Sequence, residues 1–182
     1  MISTKTVQVK GKEFEMLISE EQIETKIAEI ALQISEDYAD KNPLLIGVLN
    51  GAFMFAADLM RALKIDSEIS FIRMASYEGM SSTGDLKQIL GLSDNIFRRN
   101  IIIVEDIIDS GLTMEQTLAH FKERGAKSVE VCSLLVKPKS MKRELDIKYK
   151  CFEIGDEFVV GYGLDYDGHG RQLKDIYQLP AK

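Results

Sequence analysis

Hydrophobic residues near the start of the chain recur with the period of a helix. Four isoleucines and a tyrosine are spaced three or four residues apart, which is typical of the apolar face of an amphipathic helix. Ser19 and Gln22 form a capping-box pattern, so the sequence predicts that this helix begins after Ser19. We expect it to extend to about Lys41, because Pro43 cannot continue a helix. The apolar positions are Ile23, Ile27, Ile30, Ile34 and Tyr38.

Short apolar runs follow this helix, and we interpret them as buried strands. They occupy residues 44–49, 68–75, 88–91, 100–104, 129–136 and 158–163, the last of these as the final strand of the fold. Helical patterns over 52–63 and 113–124 lie between them. Alternating strands and helices predict an α/β fold with a mainly parallel twisted sheet flanked by helices. Because ligands bind such folds where the strands end, residues that follow the strands are expected to form the site.

The stretch VEDIIDSGLT, residues 104–113, places three carboxylates beside a helix start. Glu105 and Asp106 directly follow a predicted buried strand, where an unpaired carboxylate is costly. The simpler alternative is that both acids are solvated as the chain leaves the sheet. Ser110, Gly111 and Thr113 then bring hydroxyl and backbone N–H donors to the positive end of a helix, which suits a phosphate monoester. The alternative for these three is an ordinary N-cap.

The combination of acids and anion site narrows the class of ligand. Carboxylates this close repel phosphate unless they bind hydroxyl groups or a divalent cation. A sugar phosphate with Mg²⁺ satisfies both demands.

Composition limits the environment and the partners. The 182 residues suit a single domain spanning 1–182, and the net charge of −6 argues against a general binder of nucleic acid or anionic membranes. Cys132 and Cys151 lie in strand-like contexts and are predicted to be reduced core residues. The chain start lacks the apolar core of a signal peptide, and no apolar run reaches membrane-spanning length, so we expect a soluble cytoplasmic protein.

Several motifs resemble those of one known family. VEDIIDSGLT resembles the phosphoribosyl-pyrophosphate motif of type I phosphoribosyltransferases. The stretches GVLNGAFMFAADL, SYEGMSSTGDLK, SLLVKPKS and FVVGYGLDYDGHGR occur in the order found in hypoxanthine-guanine phosphoribosyltransferases. The resemblance implies the type I fold, with a small hood from the terminal segments, and a homodimer or homotetramer. It also implies Mg²⁺-dependent transfer of a phosphoribosyl group from 5-phosphoribosyl 1-pyrophosphate to a 6-oxopurine base.

The resemblance also implies roles for individual residues. Asp109 would be the acid–base residue near the purine ring, while Glu105 and Asp106 would hold the ribose hydroxyls and orient Mg²⁺. Asp165 corresponds to the family's metal-side aspartate and is also assigned to purine binding, and Arg171 corresponds to an arginine that binds pyrophosphate. The other residues implied to contact phosphoribosyl pyrophosphate are Asn50, Gly51, Ser76, Tyr77, Ser110, Gly111, Leu112 and Thr113.

Two of these segments have features of their own. Ser76 and Tyr77 begin the stretch 76–87, whose glycines and hydroxyl residues break all periodicity and suit a mobile loop that closes over the reacting centre. Asn50 stands where the family often has a basic residue, beside a non-proline cis peptide bond. The chain therefore lacks that positive side chain in its pyrophosphate loop.

Base recognition is implied for Lys137, Phe158, Val159 and Ile107. Lys137 carries only donors, so it suits the carbonyl at position 6 of a purine and not an amine. Phe158 would stack on the ring against Ile107, and Val159 would contribute its backbone. The alternatives are a surface lysine that ends a strand and a core phenylalanine.

Two other function classes compete with this interpretation. A phosphoacceptor receiver domain also combines an acid pair, an aspartate and Lys-Pro at strand ends, but its acid pair ends the first strand, far upstream of the acceptor. A regulatory RNA-binding relative of the same fold would need a Lys/Arg stripe, and the acidic chain does not show one.

Overall fold

The computed structural model describes residues 5–74, 89–90 and 95–180, so the whole loop predicted over 76–87, with Ser76 and Tyr77, lies outside the described residues. The strands are β1 (Thr6–Val9), β2 (Lys12–Ile18), β3 (Leu44–Leu49), β4 (Glu68–Met74), β5 (Ile89–Leu90), β6 (Asn100–Ile108), β7 (Ser128–Val136), β8 (Tyr149–Glu153), β9 (Val159–Val160) and β10 (Ile176–Gln178). The helices are α1 (Glu20–Asp37), α2 (Phe53–Ala62) and α3 (Leu112–Glu123).

The main sheet confirms the predicted α/β fold. Its order is β5-β4-β3-β6-β7-β8, and every neighbouring pair except β4–β5 is parallel. Residues of α1 and α2 pack on one face of this sheet, and residues of α3 pack on the other. Strands covered on both faces bury consecutive apolar residues, which is why they were readable as continuous apolar runs.

A second, antiparallel sheet of order β1-β2-β10-β9 forms the hood that the resemblance implied. It corrects the sequence analysis in two ways. The run 158–163 is not the final strand, because only Val159–Val160 is extended and β10 follows it. The hairpin β1–β2 was not predicted, since its half-exposed sequence shows no continuous apolar run, and the short edge strand β8 of the main sheet was missed for the same reason.

Helix α1 begins as predicted and ends earlier. Gln22 N donates to Ser19 Oγ at 3.3 Å and Ser19 N donates to Gln22 Oε1 at 2.9 Å, which confirms the capping box. The helix ends at Asp37, with Tyr38 as its C-cap, and not near Lys41. Within the described part of the chain, none of the helices combines the length and the apolarity needed to cross a membrane.

Both cysteines are buried and free, as the sequence predicted. Burial raises the pKa of Cys151 to about 12 and moves the pKa of Cys132 well above its usual range. Both thiols are therefore protonated at neutral pH and belong to the core.

Strand β6 is longer than its apolar run. It pairs with β7 as far as Ile108, so Glu105 and Asp106 lie inside the strand and not after it. The prediction that the strand stops at residue 104 was wrong because hydrogen bonding to a parallel neighbour continues through polar residues.

Asp175 joins the hood to α1. Its carboxylate, 8 % exposed, accepts hydrogen bonds from Lys5 Nζ at 2.6 Å, Glu20 N at 2.8 Å and Tyr177 OH at 2.9 Å. Burial alone would raise the pKa of Asp175, but these donors outweigh it and the pKa is lowered. A lowered folded-state pKa stabilises the protein above the unfolded value of about 3.9, and that contribution is lost as the pH falls through the folded pKa.

We expect Asp175→Asn to destabilise the protein at pH 7 by about 1.5–3 kcal/mol, the range for hydrogen bonds to a charged group. The difference from the parent should shrink below about pH 4, where Asp175 itself takes up a proton. Urea unfolding across this pH range measures both effects. Asp167→Asn, which removes an exposed ion pair with Lys10, is the control and should change stability by less than about 1 kcal/mol. A difference that stays constant down to acid unfolding would contradict the linkage.

Candidate active site

The carboxyl ends of three parallel strands meet at one edge of the main sheet. β3 leads into Asn50 and Gly51, β6 into Asp109, and β7 into Lys137. The hood brings Phe158, Val159 and Asp165 to the same edge, where they share a cavity with residues of β6 and with Lys137. The sequence prediction that these segments converge is therefore met by the geometry.

The turn from β6 into α3 forms one half of the site. Gly111 is the N-cap of α3 with φ of +77°, a left-handed conformation that glycine adopts without strain. Leu112 N lies 3.5 Å from Ser110 Oγ, at the outer limit for a hydrogen bond. A cavity of about 150 Å³ opens here. It is lined by Glu105, Ile107, Ile108, Asp109, Ser110, Gly111, Thr113 and Met114.

The ordinary N-cap alternative does not describe this turn. Among the described residues, no side chain forms the hydrogen bond of a helix cap at Gly111. Ser110, Gly111, Thr113 and Met114, which surround the start of α3, instead line the cavity. Such a border of donors at a helix N-terminus can hold an anion.

The two acids in β6 differ in their surroundings. Burial, and next the adjacent Asp106, raise the pKa of Glu105 well above its usual range. Asp106 Oδ1 accepts a hydrogen bond of 2.9 Å from Ile107 N. The surroundings of Glu105 thus stabilise its neutral form relative to that of a free glutamate, and a neutral carboxyl can donate as well as accept a hydrogen bond.

Gly51 lies directly against the carboxylate of Asp106. A Cβ atom at position 51 would fall 1.5 Å from Asp106 Oδ2 and 2.4 Å from its Cγ. Gly163, with φ of +95°, packs on the other side, where an added Cβ would fall 2.1 Å from Gly51 O. Two glycines thus allow the loop after β3, the acid of β6 and the hood to approach each other closely.

We expect Gly51→Ala to displace Asp106 and to destabilise the fold by about 1–3 kcal/mol, as overpacking of a tight site does. Thermal unfolding measures the loss of stability, and an assay of the activity that the family resemblance implies should show a raised KM for phosphoribosyl pyrophosphate. Gly155→Ala is the matched control, because its Cβ would meet only the mobile carboxylate end of Glu157, at 2.5 Å. Parent-like behaviour of Gly51→Ala would show that the close approach to Asp106 is not needed.

A second cavity, of about 280 Å³, adjoins the first. The five residues to which the resemblance assigns base binding all line it, together with Asp106, Asp109 and Leu164. The five are Ile107, Lys137, Phe158, Val159 and Asp165. Ile107 and Asp109 line both cavities, and of these two Asp109 is the one with an ionisable side chain.

The structure argues against the structural alternatives for Lys137 and Phe158. Lys137 is 9 % exposed, so it is not a surface lysine, and no carboxylate of the described residues pairs with it. Phe158 is 47 % exposed, so it is not a core residue. Its ring is held by Tyr166, edge-on at 5.7 Å, and by Phe14 at 6.4 Å. A fixed, half-exposed aromatic ring opposite a buried lysine suits a flat ligand with an acceptor at its edge.

Asp165 and Arg171 form an ion pair at the rim. Arg171 Nη2 contacts Asp165 Oδ1 at 2.7 Å, and Arg171 Nη1 donates to Gly163 O at 2.6 Å. Asp165 Oδ2 accepts from Gly168 N at 2.7 Å. The pair holds both side chains about one third exposed. Both residues were predicted from the sequence as site residues, but their ion pair was not predicted.

The loop after β3 contains two features that matter for anion binding. The peptide bond between Leu49 and Asn50 is cis. Asn50 Oδ1 accepts a hydrogen bond of 3.2 Å from Arg73 Nη2, which reaches it from β4. Sequence analysis missed Arg73 and the supporting residues Gly163 and Tyr166. For Arg73 the available signal was its position near the end of a predicted strand, next to the loop of Asn50.

Comparison with known proteins supports the same interpretation. Residues 15–167 match the family described as the phosphoribosyl transferase domain. A hypoxanthine phosphoribosyltransferase of Buchnera aphidicola subsp. Schizaphis graminum is 44 % identical over 92 % of this chain and 96 % of its own. A hypoxanthine-guanine phosphoribosyltransferase of Bacillus subtilis is 42 % identical over 88 % of this chain and 90 % of its own.

Solved structures agree in fold as well as in sequence. The crystal structure of a hypoxanthine-guanine phosphoribosyltransferase from Bacillus anthracis superposes with a TM-score of 0.81 at 44 % identity, covering 90 % of this chain and 95 % of the other. A hypoxanthine phosphoribosyltransferase from Staphylococcus aureus gives a TM-score of 0.85 at 36 % identity, covering 91 % of both chains. Sequence, fold and site geometry lead to one conclusion: the chain belongs to the phosphoribosyl transferase family.

Proposed function

We propose that the chain transfers the phosphoribosyl group of 5-phosphoribosyl 1-pyrophosphate to hypoxanthine, and also to guanine, in purine salvage. The products are IMP or GMP and pyrophosphate. The observation that carries the proposal is the pair of adjoining cavities that share Asp109. One is bordered by the donors of a helix N-terminus, and the other by a buried lysine opposite an exposed phenylalanine.

The first cavity suits the phosphoribosyl part of the substrate. The 5-phosphate would accept hydrogen bonds from the N–H groups at the start of α3 and from the hydroxyls of Ser110 and Thr113. The ribose hydroxyls would meet Glu105 and Asp106. The raised pKa of Glu105 supports this role, because a neutral carboxyl does not repel the phosphate and can donate or accept at a hydroxyl.

The second cavity suits a 6-oxopurine. Phe158 would stack on one face of the ring, with Ile107 as an apolar wall on the other. Lys137 would donate to the carbonyl at position 6, and the backbone of Val159 would pair with the edge of the ring. A purine placed this way comes close to Asp109, which lines both cavities.

The reaction breaks the bond between C1 of the ribose and pyrophosphate and forms a bond from C1 to a purine nitrogen. In the proposed mechanism, positive charge develops on the ribose as the bond to pyrophosphate breaks. Asp109 accepts the proton that the purine loses when its nitrogen bonds to C1. General acid–base catalysis of this kind contributes about 10²–10⁴-fold to rate. The remaining task, binding the departing pyrophosphate, falls to the loop of Asn50 and Gly51 and to Arg171.

The carboxylates of the site fit Mg²⁺ bound together with substrate. Among the described residues, no three His, Cys, Asp or Glu side chains converge into a metal-binding group. Mg²⁺ typically uses one or two carboxylates and completes its shell with water and substrate phosphates. Asp106 and Asp165 line one cavity and would supply those carboxylates, with Glu105 beside them. Bound there, Mg²⁺ would neutralise charge on the pyrophosphate.

The test is a defined reaction with purified protein. With phosphoribosyl pyrophosphate, Mg²⁺ and hypoxanthine, the protein should form IMP and pyrophosphate in equal amounts. With guanine in place of hypoxanthine it should form GMP. Chromatography measures the products of both reactions. Filter binding with RNA addresses the regulatory alternative within the same fold. RNA binding without nucleotide formation would overturn the proposed enzyme.

Assembly and location complete the proposal. We propose a homodimer or homotetramer in the cytoplasm, formed from one domain spanning residues 1–182. Leu49 and Phe53 support association, because both are large apolar residues about 40 % exposed beside the site. Sedimentation analysis of the purified protein measures the number of copies.

A further inference from the structure

The pyrophosphate end of the proposed site has an excess of negative charge. Asp106 lies against Gly51, and Asp165 lies at the rim. Arg171, the arginine assigned to pyrophosphate, is engaged with Asp165 at 2.7 Å and with Gly163 O. Beside the proposed Mg²⁺, a further cationic side chain facing this end would strengthen the binding of a multiply charged anion through charge-assisted hydrogen bonds.

Arg73 is such a group. In the parallel pair β3–β4, Arg73 is the partner of Leu49, so its side chain emerges level with the loop of Asn50 and Gly51. Arg73 is exposed, and none of the described carboxylates lies within ion-pair distance of it. Its contact with the loop is the 3.2 Å bond from Nη2 to Asn50 Oδ1.

The chemistry of this contact favours a ligand-binding role. A guanidinium carries five N–H donors in one plane, and the bond to Asn50 uses one of them. Asn50 is neutral, so within the described part of the chain this contact leaves the positive charge of Arg73 without a counter-charge while it fixes the direction of the planar group. Arginine in this state suits the paired oxygens of a phosphate.

We propose that Arg73 binds the pyrophosphate group of phosphoribosyl pyrophosphate and that Asn50 is its positioning residue. The proposal rests on the proposed function. It adds to that site a binding residue from β4, a strand to which the sequence analysis assigned no site residue. Asn50 then acts through Arg73, and the positive charge of the pyrophosphate loop comes from the neighbouring strand.

The first experiment compares Arg73→Gln with the parent. We expect a rise of about 10- to 100-fold in KM for phosphoribosyl pyrophosphate and for pyrophosphate in the reverse reaction, the equivalent of one charge-assisted contact. KM for hypoxanthine should stay unchanged, which separates a binding role from general damage. Arg61→Gln is the matched control, since Arg61 is 84 % exposed near the far end of α2. An unchanged KM for pyrophosphate in Arg73→Gln would overturn the proposal.

The second experiment tests the positioning role of Asn50. Asn50→Ala should weaken pyrophosphate binding in the parent but add little in the Arg73→Gln background, because the two residues act as one unit. Fully additive effects would overturn the positioning role.

Calorimetry with pyrophosphate and Mg²⁺ gives a readout that does not depend on turnover. If the parent failed to convert hypoxanthine, the proposed function would fall. The Arg73 proposal would still be decided by whether Arg73→Gln weakens the calorimetric binding of pyrophosphate.

Discussion

Adenine should react about 10⁴–10⁵-fold less efficiently than hypoxanthine, measured as kcat/KM, because two polar contacts in the base cavity are mismatched. Lys137 has three donors and no acceptor, and it is 9 % exposed beside Phe158. The carbonyl of hypoxanthine would accept a charge-assisted hydrogen bond from it, whereas the amine of adenine would also present hydrogens. The unprotonated ring nitrogen of adenine would further meet a backbone carbonyl of Val159 that needs a donor.

Substitution of the lysine provides the sharper form of this prediction. Lys137→Gln should slow the reaction of hypoxanthine and narrow its advantage over adenine, because an amide can present either a donor or an acceptor. Lys139→Gln, an exposed substitution two residues later, should leave both rates unchanged. Comparable use of adenine and hypoxanthine by the parent enzyme would contradict the proposed base recognition.

Asp109→Asn should slow nucleotide formation by about 10²–10⁴-fold, the contribution of a general acid–base group. Asparagine keeps the shape of aspartate but cannot accept the proton. The affinity for phosphoribosyl pyrophosphate should change far less, because Ser110, Gly111 and Thr113 still border the first cavity. Single-turnover kinetics separates the chemical step from substrate binding.

A matched control removes the same charge elsewhere. Asp66 is exposed just before β4, at the opposite edge of the main sheet, and Asp66→Asn should retain the parent rate. A rate for Asp109→Asn within a few-fold of the parent would reduce Asp109 to a residue that only orients the substrate.

The main sheet could be predicted from the sequence because each buried strand is marked by apolar residues within its own segment. A strand buried on both faces needs a continuous apolar run, and β3 and the first half of β6 each show one. The hood could not be predicted in the same way. β2 buries only two residues fully, and β10 is three residues long, so their stability comes from pairing across the length of the chain.

The candidate site likewise has a part that could be predicted from the sequence and a part that could not. The segment from Glu105 to Thr113 is contiguous, so its carboxylates, glycine and hydroxyls could be interpreted together. The bond between Arg73 and Asn50 depends on the register of β3 against β4, and the approach of Asp106 to Gly51 depends on that of β6 against β3. Sequence spacing carries no information about such registers.

The hood has a consequence for how the protein is made. β2 leaves the ribosome early, but its partner β10 lies almost at the end of the chain. All strands of the main sheet are therefore synthesised before β10. The side of the second cavity that Phe158 and Asp165 form belongs to the hood, so it takes its final shape only once β10 has been made and has paired with β2.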